Sequence, residues 1–267
     1  MNPTRGLLLS PRRRIATILS HAASSSPSTP LAAAAAATTT STTTDTLLAG
    51  HDSTQVKLMQ EELIRVNERD QVLGPGTKVE CHRIQPDGTI PLHRAFSVFL
   101  FDQDNRLLMQ QRAAEKITFP LVWTNTCCSH PLFTPSEMDP VMGIKRAAQR
   151  KLEHELGIPP SQVPLSEFHH VATILYKANC DDGVWGEHEV DHVLAIRANV
   201  TLDINLNEVA STRWFTRKEL DVFRQSKTVF SPWFARIAVS LLPEWWAQLE
   251  KNGKVAKNED DKKIMMM

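Results

Sequence analysis

The sequence has little cysteine, no net charge and no long apolar run. Four cysteines in 267 residues, two of them adjacent (Cys127, Cys128), are too few for a disulfide scaffold and point to a reducing compartment. Thirty Lys and Arg residues balance thirty Asp and Glu, so charge implies no general affinity for nucleic acid or anionic lipid. No segment approaches the roughly 20 apolar residues needed to cross a bilayer, and the alanine tract at 32–37 is short and weakly apolar. Stable membrane insertion is therefore not expected. A Walker A loop, a dinucleotide glycine fingerprint and zinc-finger spacing are also missing, which leaves nucleotide-powered and hydride-transfer chemistry without an anchor. What is present is a composition 42 % hydrophobic, enough to bury a sizeable core, which excludes a disordered or fibrous protein for most of the length.

Acid is missing from one stretch in particular. Residues 1–44 carry Arg5, Arg12, Arg13 and Arg14, with Asp45 the first acid, and are otherwise rich in Ala, Ser and Thr. Such a segment has too little branched apolar surface to offset the entropy of ordering it. Basic, acid-free, hydroxyl-rich leaders without a long apolar stretch are the signature of organelle targeting. The abundance of Ser and Thr favours a plastid over a mitochondrion, and a shorter form would belong to the cytosol or peroxisome. The division expected is a leader over 1–45, a catalytic domain over 46–255 and a polar tail over 256–267.

Between the ends, strand and helix signals alternate. His93–Asp102 and Arg106–Arg112 are apolar runs separated by Gln103-Asp104-Asn105 and read as a hairpin. Asp139-Pro140 offers a helix start, Val141, Ile144, Ala148, Leu152 and Leu156 form one stripe, and Gly157 stands where a left-handed terminator is wanted. Phe168–Ala178 and Glu187–Ala198 flank Asp181-Asp182-Gly183 as a second antiparallel pair. Thr216 with Glu219 makes a capping box, Ser231-Pro232 opens a last helical stretch, and Pro243 must kink or split it. The reading is a single α/β domain.

Glu187, Glu189 and Asp191 leave one face of a strand. With His82, His93 and His130, the two carboxylates Glu187 and Glu189 would make a five- or six-coordinate site for a divalent first-row metal. Cys127 and Cys128 sit in a polar loop with His130 close behind, where a thiol can serve as acid, base or nucleophile; spacing does not choose between them. Lys78, Arg112, Lys116 and Lys151 come from separate segments that could converge on an anion, with Glu155 placed to hold a second, harder cation.

The string Trp123-Thr124-Asn125-Thr126-Cys127-Cys128-Ser129-His130-Pro131, with Leu92-His93-Arg94-Ala95-Phe96 before it and Gly186-Glu187-His188-Glu189-Val190 after it, closely resembles type I isopentenyl diphosphate isomerase over roughly residues 56–250. The leader resembles the extension of plant forms. The resemblance implies a Nudix-like fold, mixed β-sheets flanked by helices in a single domain, and a monomer. It implies that Cys128 and Glu189 are the catalytic pair, that His82, His93, His130, Glu187 and Glu189 hold a divalent metal (Zn2+, Mn2+ or Mg2+), and that Glu155 holds Mg2+ on a bound diphosphate. Lys78, Arg112, Lys116 and Lys151 then surround the diphosphate, and Tyr176 and Trp233 lie near the reacting carbons. No flavin or nicotinamide is expected. A carbocation intermediate calls for an indole face, for which Trp233 is the first choice and Trp123 the second. A Nudix hydrolase of nucleoside diphosphate derivatives is the alternative, but Ser136, Met142 and His154 stand at box positions where a hydrolase keeps glycine and acids to gather magnesium.

Overall fold

Strand β3 (His93–Phe101) is buried along its whole length, which a run so rich in Phe, Val and Leu tolerates only when both faces of the sheet are covered. The computed structural model describes residues 46–254 and 263–267; the expected leader over 1–45, and residues 255–262, lie outside them. Along one edge β3 pairs in parallel with β8 (Gly186–Arg197), from His93 opposite Glu189 to Phe101 opposite Arg197. β8 pairs antiparallel with β7 (His169–Asn179) through a turn in which Asp182 accepts from the amides of Val184 and Trp185. On its other edge β3 meets β1 (Glu62–Val66) at His93, β6 (Cys127–Ser129) over Phe96–Val98 and β4 (Leu107–Arg112) at Phe101. β2 (Val72–Thr77) extends β1, and β4 carries β5 (Trp123–Thr124) and β9 (Val209–Phe215).

The sheet is therefore mixed. This is the mixed sheet that the family resemblance implies; the local strand signals by themselves announce antiparallel pairs, and the parallel β3–β8 pairing that joins them has no local turn signal. The hairpin read at Gln103–Asn105 exists only at its root. The rest of β4 pairs with β9, because β6 already occupies the β3 edge that a continuing hairpin would need.

Alternate residues of β3 serve two cores. Phe99 and Phe101 pack with Trp233, Phe234, Trp245 and Trp246 of α5 (Pro232–Ser240) and α6 (Leu242–Asn252), the two helices into which Pro243 splits the last stretch. Phe96, Val98 and Leu100 face α3 (Met142–Leu156) and its buried stripe Ile144, Ala148, Leu152 and Leu156. Asp139 accepts from the amides of Val141 and Met142, so the helix begins two residues later than Pro140 suggests and Val141 stays exposed. The Thr216–Glu219 box forms as expected and starts α4 (Arg217–Arg224).

Gly157 ends α3 at φ 63, with its amide donating to the Glu153 carbonyl. A β-carbon there would lie 2.3 Å from the Asp203 carbonyl oxygen, a backbone atom tied by its own amide to Leu156. Gly157→Ala is therefore expected to cost about 1–3 kcal/mol, seen as a drop of several degrees in the thermal midpoint.

The tail expected to be polar and loose over 256–267 is corrected at its end. Ile264–Met266 form β10, parallel to the outer edge of β7 with Ile264 opposite Thr173. An edge strand with unpaired amides and carbonyls accepts an apolar segment readily.

Candidate active site

Sheet register assembles the site. Tyr176 of β7 lies opposite Glu189 of β8, which lies opposite His93 of β3; cross-strand partners share a face, so the three side chains stand in one row. Ser97 is opposite Cys128, and period two puts Cys128 and His130 on that same face. Cys127 points the other way, fully buried among Phe96, Val98 and Leu152. The choice between the adjacent cysteines is thus made by strand parity. Cys128, Tyr176, Glu187, Glu189 and Trp233 line one narrow cavity of about 20 Å3 together with the cations Lys78, Arg112 and Lys116.

Three imidazoles form a nearly equilateral group. Ring centroids of His82, His93 and His130 are 4.7, 4.8 and 4.9 Å apart, and their ligand atoms lie with one from Glu189 within 4.8 Å of one another, all buried. The short helix α2 (Lys78–His82), opened by the Thr77–Glu80 capping box, delivers His82. The Nδ1 atoms of His82 and His93 face the carbonyls of Lys78 and Pro91 at 2.8 and 2.9 Å. A carbonyl only accepts, so each Nδ1 carries the proton and each Nε2 presents a lone pair inward. Both Nε2 atoms are buried without a hydrogen-bond partner. His130 Nε2 is 2.7 Å and His93 Nε2 3.5 Å from Glu189 Oε1.

Burial and the two neighbouring imidazoles hold His82 well below its usual range, and burial takes His130 to about 3 against the pull of Glu189. Burial disfavours the Glu189 carboxylate, but the hydrogen bond with His130 and the closeness of both His130 and His93 outweigh it and keep it ionised. Neutral imidazoles and an ionised carboxylate are the forms a metal takes. Together with the orphaned nitrogens, this donor set fits a divalent cation of borderline hardness.

Glu187 departs from the expected ligand set. It lies outside that group of four, and its Oε2 lies 2.8 Å from the Tyr176 hydroxyl oxygen. The same hydroxyl makes a short contact with Glu189 Oε2. A phenol has one proton to give, so the second of these bonds requires a proton on one of the carboxyls. Burial and the adjacent Glu189 charge push Glu187 up to about 8, which makes it the protonated member.

Cys128 Sγ lies 3.9 Å from Arg112 Nη1. Burial, reinforced by the nearby acids and only partly opposed by Arg112, raises the thiol; burial and the same acids raise Tyr176. Both keep their protons near neutrality. The Trp233 indole donates to Asn125 Oδ1 at 3.1 Å, while the Asn125 amide donates to the carbonyls of Val98 and Cys127. Phe119 meets the ring edge-on and Tyr176 tilts against it, and the Arg112 guanidinium carbon is 5.8 Å from its centroid. In the sequence Asn125 is only one letter of the 123–131 string; its role in fixing the indole depends on α5 folding against β5.

Four expected residues are placed differently from one another. Lys78, half-buried, is lowered to about 8 by burial and by Lys116 and Lys151, and with Lys116 it reaches the cavity. Lys151 and Glu155 do not line it: they pair at 3.3 Å one turn apart on α3, and Glu155 also accepts from Gln110. Each Glu155 oxygen thus has one partner, Lys151 at Oε1 and Gln110 at Oε2. Trp123 is also corrected as a cavity wall, since its indole is held edge-on by Phe215 and Phe223 at 6.1 and 5.3 Å. On β5 it pairs with Gln111, the neighbour of the inward-facing Arg112.

The NUDIX domain family matches residues 91–234, the stretch from β3 into α5 that holds most of these side chains. An isopentenyl-diphosphate delta-isomerase of Gibberella zeae is 51 % identical over 220 residues, covering 80 % of this chain and 87 % of that one. The isopentenyl-diphosphate Delta-isomerase I, chloroplastic, of Arabidopsis thaliana is 46 % identical over 226 residues, 81 % of this chain and 77 % of that one. The Bos taurus isopentenyl-diphosphate Delta-isomerase 1 is 46 % identical over 206 residues, 75 % and 90 % respectively. Likeness of this extent, spanning the strands that bring Cys128, Glu189 and the three imidazoles together, makes the chain a member of the isopentenyl-diphosphate delta-isomerase family within the NUDIX fold.

Proposed function

We propose that the protein converts isopentenyl diphosphate to dimethylallyl diphosphate, with Cys128 and Glu189 as the proton-transfer pair. The observation that carries this reading is the meeting, in one cavity, of a protonated thiol, an ionised carboxylate, an indole and three cations. The reaction adds a proton to the terminal carbon of an unactivated alkene and removes one from the carbon next to that bearing the diphosphate. A tertiary carbocation lies between, and two proton-handling groups are needed.

Lys78, Arg112 and Lys116 hold the diphosphate, and Arg112 is itself held in place by the carbonyls of Thr118 and Phe119. Cys128 comes from β6 and Glu189 from β8, strands on opposite edges of β3, so the two proton-handling groups reach the substrate from separate positions along the sheet. Tyr176, bonded to both Glu187 and Glu189, keeps a proton within reach of the carboxylate. Trp233 offers its π face to the cation, worth about 0.5–2 kcal/mol when desolvated. Exclusion of water from this cavity once the substrate is seated protects the cation from being quenched.

His82, His93, His130 and Glu189 would hold a divalent cation, Mg2+, Mn2+ or Zn2+, whose charge would orient Glu189 and tune its acidity. Mg2+ also accompanies the diphosphate as its counterion. The chloroplastic relatives and the acid-free first 44 residues support a plastid address, with the leader over 1–45 removed from a catalytic domain that begins near residue 46.

The test is incubation with isopentenyl diphosphate and Mg2+ in heavy water, without flavin or nicotinamide. Allylic product carrying deuterium is expected, and its formation should cease when a chelator strips the protein. Release of phosphate in place of allylic product would overturn the reading in favour of hydrolysis.

A further inference from the structure

Beneath the cavity lies a buried carboxylate that the reaction does not use. Glu208, 2 % exposed, stands at the entry to β9 with its backbone carbonyl accepting from the Ala113 amide, next to Arg112. Its Oε2 is 2.6 Å from Lys116 Nζ and 3.8 Å from Lys151 Nζ. Its Oε1 accepts from Gln55 Nε2 at 2.9 Å. Gln55 belongs to α1 (Ser53–Leu58) and also donates to the Asn207 carbonyl and Oδ1. Asp52, which caps α1, accepts in turn from Asn207 Nδ2. The same N-terminal segment sends Leu48 and Met59 into a cluster with Val79 and Ile117, the neighbours of Lys78 and Lys116. Two of the three cavity cations are thus seated on α1 and its flanks.

We infer that Glu208 is a positioning residue for the anion end of the cavity: its two oxygens join Gln55 of α1 to Lys116 and Lys151, and so fix where Lys116 Nζ meets a diphosphate oxygen. This rests on the reading that the cavity takes a diphosphate. The geometry uses both oxygens as acceptors, one for Lys116 and one for Gln55. A glutamine at this position can offer one acceptor only and must turn its NH2 toward a donor, either Lys116 or Gln55. A flexible, unlatched lysine loses its preorganisation. The rival role, simple neutralisation of a buried lysine, has the opposite sign: deleting a negative charge near an anion site would tighten anion binding.

The test uses the full-length protein with inorganic pyrophosphate as the probe, its Kd measured by calorimetry beside kcat, KM and the thermal midpoint. Glu208→Gln is expected to raise the pyrophosphate Kd and the substrate KM about tenfold or more, with kcat changed less than about threefold. Glu208→Asp, which keeps both acceptors, is expected to recover most of the affinity. Gln55→Met, which leaves the Lys116 ion pair in place, should weaken pyrophosphate in the same direction by about threefold, and decides the matter if Glu208→Gln does not fold. Unchanged or tighter pyrophosphate binding in the variants, or a loss confined to kcat, overturns the inference while the diphosphate reading stands. If the unaltered protein binds no pyrophosphate and forms no allylic product, the diphosphate reading fails first and this inference with it.

Discussion

Replacing Cys128 with alanine is expected to lower kcat about a thousandfold or more, whereas Cys127→Ala should keep most of the activity and lose stability instead. The two residues are adjacent and chemically identical; they differ in which side of β6 they occupy. Cys127 is sealed between the sheet and α3 beside Phe96, Val98 and Leu152, where shortening it leaves a small void costing about 1 kcal/mol. Cys128 faces Arg112, Tyr176, Glu187, Glu189 and Trp233 across the cavity, and burial keeps its proton on sulfur. Alanine there removes a proton carrier and little packing. Steady-state kinetics with thermal melts on both variants checks the assignment. Near-full turnover by Cys128→Ala would remove the thiol from the reaction.

The second large effect is at Glu189. Glu189→Gln is expected to lower kcat by a similar factor and also to reduce bound divalent metal, read by elemental analysis of the purified protein. Glu189 Oε1 is shared by His130 and His93, and its Oε2 meets Tyr176. Glutamine keeps the size but not the charge, so the three imidazoles lose their anionic partner and the phenol loses its acceptor or gains a competing donor. The pairing of the two losses is the distinguishing result. A variant that keeps its metal and loses turnover would confine Glu189 to proton transfer, and one that keeps turnover would exclude it.

The parts of this molecule with a local cause were legible in the sequence. Gly157 terminates α3 because a left-handed residue is needed there, Thr216 and Glu219 satisfy each other's amides, and Pro243 divides two helices because it has no amide to donate. The histidines and Glu189 could be proposed as a group on chemical type, but their convergence depends on the parallel β3–β8 pairing, for which no short-range pattern exists. Glu187 and Glu189 share a face by period two, and the sequence could not say that one would go to the imidazoles and the other to Tyr176. Trp123 and Trp233 are both indoles near the right motifs; only the neighbours Phe215 and Phe223, brought in by β9 and α4, take Trp123 away. Glu208 carried no signal, being a lone acid in a polar stretch until Lys116 and Gln55 fold onto it.

The β3–β8 pairing has a consequence for how the chemistry comes into being. Ser97 and Asp191, bonded side by side in the finished sheet, are 94 residues apart along the chain, and closing so wide a gap is among the slower events of folding. A growing polypeptide displays the Cys-Cys-Ser-His string long before β8 exists to complete it. An emerging or interrupted chain that stops short of β8 therefore bears the recognisable motif without the carboxylate that completes it, and the cavity waits further on Trp233 of α5.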